Sequence, residues 1–157
     1  MQFPDLPKRD WWAALAVGIA NAVLLSAVMV PVMRAGLSPL PKPVGLAFAE
    51  TVLGTGLPMP VGLLFHLVYV AAWTMIFVAV FRRALTFKNA LVLGLALWIL
   101  ALVVFFPIIG WGVLGLGEGR QLIVASLVPH LLFAVFLWGL CRLAFKNAAP
   151  DQSRRGS

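Results

Sequence analysis

The sequence predicts an all-α membrane protein with four transmembrane helices. Three observations predict it: an apolar excess too large for a soluble domain, four long apolar segments, and basic residues gathered at alternate segment ends. Of 157 residues, 62% are hydrophobic and 11% charged, and mean hydropathy is +1.02. A soluble domain carries about 25% charged residues, and a chain this short buries only part of its surface. Disorder is excluded as well, because it requires low hydrophobicity. A sheet barrel fits poorly, since barrel strands alternate in polarity and are about half as long as these segments.

The segments are residues 11–33, 61–81, 90–109 and 122–145. Each has about 20 residues or more, enough to cross a hydrocarbon core of about 30 Å as a helix. Residues 1–157 thus form a single membrane domain, with a tail over 146–157. Lys8, Arg9, Arg82, Arg83, Lys88, Arg142, Lys146, Arg154 and Arg155 fall on one side, and Arg34, Lys42 and Arg120 on the other. The positive-inside rule then puts both termini and the tail in the cytoplasm. The net charge of +7 is therefore a topology signal, not the footprint of nucleic acid. Ala20-Asn21-Ala22 imitates a signal-peptidase site, but the apolar run continues past it, so the first segment is expected to stay as an anchor.

Between the first two segments, residues 34–60 hold five prolines. Within them, residues 44–53 read as a short apolar helix, opened by Pro43 and too short to span. It is expected at the interface or dipping into the bundle. The second external loop, residues 110–120, contains a G-x-G-x-x-G match from Gly110 to Gly115. That motif needs a strand and a βαβ unit around it, so it is discarded. Trp11, Trp12 and Trp111 are expected in interfacial belts, while Trp73, Trp98 and Trp138 read as packing.

The chain also reads as duplicated. A shift of 76 places Gly18 on Gly94 and Pro31 on Pro107; a shift of 64 places His66 on His130, Tyr69 on Phe133 and Arg82 on Lys146. Each half is then a helical hairpin, and the halves are parallel repeats about an axis along the membrane normal. Ala14, Gly18, Ala22 and Ser26 recur every fourth residue, a small-residue stripe that lets helices approach closely. Asn21, beside the stripe, is expected to hydrogen-bond to a neighbouring helix.

His66 and His130 are the ionisable side chains well inside the spans, each sixteen residues before a basic residue, Arg82 or Lys146. At about 1.5 Å per residue both lie about 24 Å from the cytoplasmic side. Pro129 precedes His130 and frees the carbonyl of Ala125, and a kink beside a polar group suits water or a ligand. Three readings stay open. The histidines hydrogen-bond neighbours and hold the bundle together. Alternatively, they ligate haem b, a metal or a pigment as a bis-imidazole pair. In the third, they line the path of a small transporter or channel. Glu50 is a further candidate, either solvated on the loop helix or paired with Arg34, Lys42 or Arg120. Cys141 reads as an inert thiol. No catalytic triad, paired carboxylates, P-loop or HExxH can be assembled, so no enzyme activity is expected.

The order of these features resembles a family of uncharacterised bacterial four-helix integral membrane proteins, a domain of unknown function. The resemblance rests on the small-residue first helix, Phe65-His66-Leu67-Val68-Tyr69, the run from Phe106-Pro107 to Gly115, and His130-Leu131-Leu132-Phe133, and it covers about residues 10–145. Such proteins often carry glycine shortly after each histidine, where this chain has Val70 and Ala134. The resemblance implies a four-helix, inner-membrane architecture and brings no activity. The expected role is a non-enzymatic structural or accessory bundle whose partners are the lipid bilayer and a second copy or a larger membrane complex.

Overall fold

The computed structural model describes residues 6–145. Lys146, Arg154, Arg155 and the expected tail over 146–157 lie outside the described residues. Five helices follow in order: α1 (Lys8–Arg34), α2 (Val44–Leu53), α3 (Met59–Phe81), α4 (Phe87–Ile108) and α5 (Gln121–Phe145). No strand occurs among the described residues. All but α2 are long and apolar enough to cross a membrane, and on that count the chain is a multi-pass membrane protein. Most spans run one to three residues past the apolar segments, because polar residues continue a helix once outside hydrocarbon. At α4 the cause is a cap: Thr86 Oγ1 accepts from the Asn89 amide at 3.3 Å and starts the helix at Phe87, satisfying one otherwise orphaned N–H. Gly36, at φ +69°, follows the end of α1 in a conformation that suits glycine.

Consecutive helices are not always neighbours. α1 packs against α3 and α5, α4 packs mainly on α5, and α3 and α4 scarcely touch. Across the molecule the order is therefore α3, α1, α5, α4. Small residues set the two tightest approaches among the long helices. A Cβ on Gly18 would lie 2.7 Å from Ala71 Cα, and one on Gly94 would lie 2.7 Å from the His130 carbonyl oxygen. Ala14, Gly18 and Ala22 are buried, whereas the outward faces carry exposed Val, Leu and Ile, as lipid contact requires.

The short helix α2 lies on α3. A Cβ on Gly45 would fall 2.7 Å from Gly62 O, and one on Gly62 would fall 2.6 Å from Leu46 Cβ. The two glycines let backbone meet backbone, and Ala47 and Ala49 are buried beneath. At the opposite end of the bundle, Arg82 Nε donates to Asp10 Oδ2 at 2.7 Å. Its guanidinium lies 4.4 Å from the centre of the Phe145 ring. One side chain thus ties α1, α3 and α5 together.

The indoles divide differently from the expected pattern. Trp12 is 71% exposed, as a belt residue would be, but Trp111 is only 5% exposed and stacks obliquely on Phe106 at 5.2 Å. The reason is the loop over residues 109–120, which folds back on α4: Trp111 N donates to Phe106 O, and Gly117 N to Trp111 O. Trp98 serves packing through its N–H, which donates to Ile123 O at 3.1 Å and Ser126 Oγ at 3.2 Å.

Candidate functional site

A cavity of about 580 Å³ lies in the half of the bundle nearest α2, within the ~300–1,000 Å³ typical of ligand sites. All four long helices and α2 contribute to its wall. The space follows from the packing order: the backbones of α3 and α4 stay apart at this level, and only side chains span the gap between them. α4 is irregular here, with a π-helical turn over Ala101–Phe105 and Pro107 two residues beyond it. A π turn inserts an extra residue into the helical register and is common at functional sites. In this turn Ala101 and Phe105 reach the cavity wall.

Both histidines reach the same cavity, His66 from α3 and His130 from α5. Each is half-buried. His130 Nδ1 lies 2.7 Å from Ser126 O, the carbonyl one turn before it. Beside His66, the Cα of Gly45 replaces what would otherwise be a side chain 3.2 Å from His66 Cβ. The remaining polar groups on the wall belong to Ser26, Tyr69 and Ser126. Ser126 Oγ is committed elsewhere, since it accepts from Trp98 and donates to Ile123 O at 3.1 Å. Among the described residues no Lys, Arg, Asp or Glu lines the cavity.

Aromatic rings form one side of the wall. Phe48 meets Phe65 at 6.1 Å and Phe105 at 5.3 Å, and Tyr69 meets Phe105 at 5.4 Å, all edge to face. That geometry is the favoured one for aromatic pairs, and through it Phe105 bridges α4 to α2 and α3. Leu64 and Val68 both border the cavity and are each 58% exposed on the outside of α3. These two residues thus belong both to the cavity wall and to the outer face of α3.

Asn21 and Glu50 lie apart from this cavity. Asn21, fully buried between α1 and α5, donates from Nδ2 to Phe133 O at 3.4 Å, while its Oδ1 has no partner among the described residues. Glu50 accepts from Lys42 Nζ at 2.7 Å and from the Gly56 amide at 3.2 Å. It thereby ties the loops on both sides of α2 to the helix. The Lys42 hydrogen bond holds the Glu50 carboxyl below its ordinary value. Cys141 is buried in the helical core.

Among the described residues no three His, Cys, Asp or Glu side chains gather as a metal site. Tyr69, Ser126, Phe48 and Phe105 are the site residues that the sequence reading did not single out. Two of them had a usable signal: Tyr69 is three residues after His66, and Ser126 is four before His130, spacings that put side chains on one helix face. Comparison with protein-family models, curated proteins and solved structures gives no match for this chain.

Proposed function

We propose that this protein is a non-enzymatic inner-membrane protein that holds a small, mostly apolar molecule taken from the bilayer. The observation that carries this reading is the placement of both intramembrane histidines on the wall of one apolar cavity. Ionisable side chains inside a span are costly and tend to be functional. A largely apolar pocket with a few convergent polar groups is the usual form of a small-molecule site. The outward exposure of Leu64 and Val68, which also line the cavity, favours entry from lipid rather than from water. A binding role agrees with a wall that, among the described residues, is almost wholly apolar.

In this reading α1 with α3 and α4 with α5 are two parallel halves, and the cavity lies where they fail to close. α2, an insertion in the first half, covers it. Both termini are cytoplasmic, and the cavity is in the outer leaflet. The protein works as an accessory subunit or as a homo-oligomer.

The test is to purify the protein in mild detergent, extract it with organic solvent, and identify co-purifying molecules by mass spectrometry. An apolar organic compound other than bulk phospholipid is expected in near-stoichiometric amount. It should be lost from Ala101→Phe and from Ser26→Phe, which fill the cavity from α4 and from α1, when helicity by circular dichroism is retained. Identical extracts from wild type and a folded filled variant would overturn the proposal.

A further inference from the structure

We infer that the ligand is an uncharged aromatic alcohol of the phenol or hydroquinone class, carrying an apolar tail, whose O–H donates to His130 Nε2. The inference rests on the ligand-holding role proposed above and deepens it. Its starting point is a hydrogen bond that fixes a tautomer. Ser126 O is a carbonyl and can only accept, so His130 Nδ1, 2.7 Å away, carries the proton. In a neutral imidazole one nitrogen then donates and the other accepts. Nε2 keeps its lone pair and has no hydrogen-bond partner among the described residues. The cavity wall therefore presents a fixed acceptor, one that calls for a donor on the ligand.

The rest of the wall narrows the choice of donor. An imidazole oriented by a backbone carbonyl is also the arrangement that metal-ligating histidines adopt. Here, however, no third ligand lies within reach among the described residues. The two propionates of haem b would meet no Lys or Arg among the described residues of the wall. A cationic donor such as an ammonium would find no carboxylate to pair with, and burying an unpaired charge is prohibitive. An uncharged O–H satisfies the acceptor without either difficulty. The edge-to-face chain of Phe65, Phe48, Phe105 and Tyr69 supplies ring edges and faces for an aromatic body. Leu64 and Val68 mark where an apolar tail would pass into lipid.

Decylubiquinol and decylubiquinone test the inference, because they share body and tail and differ in having O–H donors or carbonyl acceptors. Binding to the full-length protein in nanodiscs is measured by scintillation proximity with tritiated quinol and unlabelled competitors. The quinol is expected to bind at least tenfold more tightly than the quinone. His130→Leu should remove that preference, and His130→Gln, which keeps an acceptor, should restore part of it. A measurement on the unaltered protein guards against misfolded variants: ¹⁵N spectra of labelled histidine should show His130 with Nδ1 protonated and Nε2 bare, and Nε2 should shift when quinol is added.

Equal affinity for both forms would overturn the inference while leaving the ligand-holding role intact. So would a proton on Nε2, or a haemin Soret band that depends on His130. Absence of binding by either form, together with cavity extracts that contain no compound, would remove the inference and the proposed function together.

Discussion

Asn21 shows how little a single polar group need contribute inside a membrane bundle. It has no exposure, one long hydrogen bond of 3.4 Å to a backbone carbonyl, and an Oδ1 with no partner among the described residues. Interhelical hydrogen bonds in membranes average about 0.6 kcal/mol, and leaving a buried acceptor unpaired costs about 1–3 kcal/mol. The unpaired oxygen therefore outweighs the bond. Replacing the amide by an apolar side chain of similar size should remove the penalty at little loss: Asn21→Leu is expected to unfold at the same temperature as wild type or higher. Asn21→Ala, which leaves a void between α1 and α5, should unfold lower. Thermal melts followed by circular dichroism in one detergent decide the matter. A Leu variant several kcal/mol less stable would mean that Oδ1 has a partner essential to the bundle.

At the scale of one element, α2 has a protein-facing side of small residues and a salt bridge for an anchor. Gly45 and Gly62 permit the crossing over α3, and Glu50 fastens the flanking loops through Lys42 and Gly56. The bond from Lys42 lowers the Glu50 pKa from its ordinary 4.5. A carboxyl whose folded value is depressed stabilises the folded arrangement above the unfolded value and loses that contribution as pH falls through the folded one. α2 should therefore sit firmly at neutral pH and loosen only below 4.5. A nitroxide at exposed Thr51 should show a rise in mobility on acidification through that range. In Glu50→Gln the label should already be mobile at pH 7, with no further transition. A flat pH response in the native background would mean that the glycine crossing holds α2 without help from the carboxylate.

For the molecule as a whole, what was legible followed from the solvent. Lipid demands about twenty apolar residues per crossing, so the spans and the short α2 could be read directly from runs of sequence. Lipid also erases the stripe that normally marks a buried face. Every long helix is apolar all round, and only small residues such as Gly18 and Gly94 showed which side meets a neighbour. The helix order α3, α1, α5, α4, and with it the cavity, depends on which faces fail to meet, and no residue pattern records a missing contact. Trp111 misled for a related reason: a tryptophan at a helix end has the same signature whether it borders headgroups or folds back on Phe106. The basic residues remain the clearest whole-molecule signal, and Arg82 carries two roles at once. It counts toward the basic side of the membrane, and it binds Asp10 and stacks on Phe145. These roles separate under mutation. Arg82→Gln leaves eight of the nine basic residues on that side, so orientation should be unchanged: green fluorescent protein should fluoresce at either terminus, and alkaline phosphatase should be active when inserted after Glu118. Stability should nonetheless fall by about 1.5–3 kcal/mol, the scale of a hydrogen bond to a charged group. Arg82→Lys should recover only part, since an ammonium lacks the planar fork that engages a carboxylate and an aromatic face together. If phosphatase were instead active at a terminus of the native protein, the charge bias would not be setting the topology, and the cavity would belong to the other leaflet.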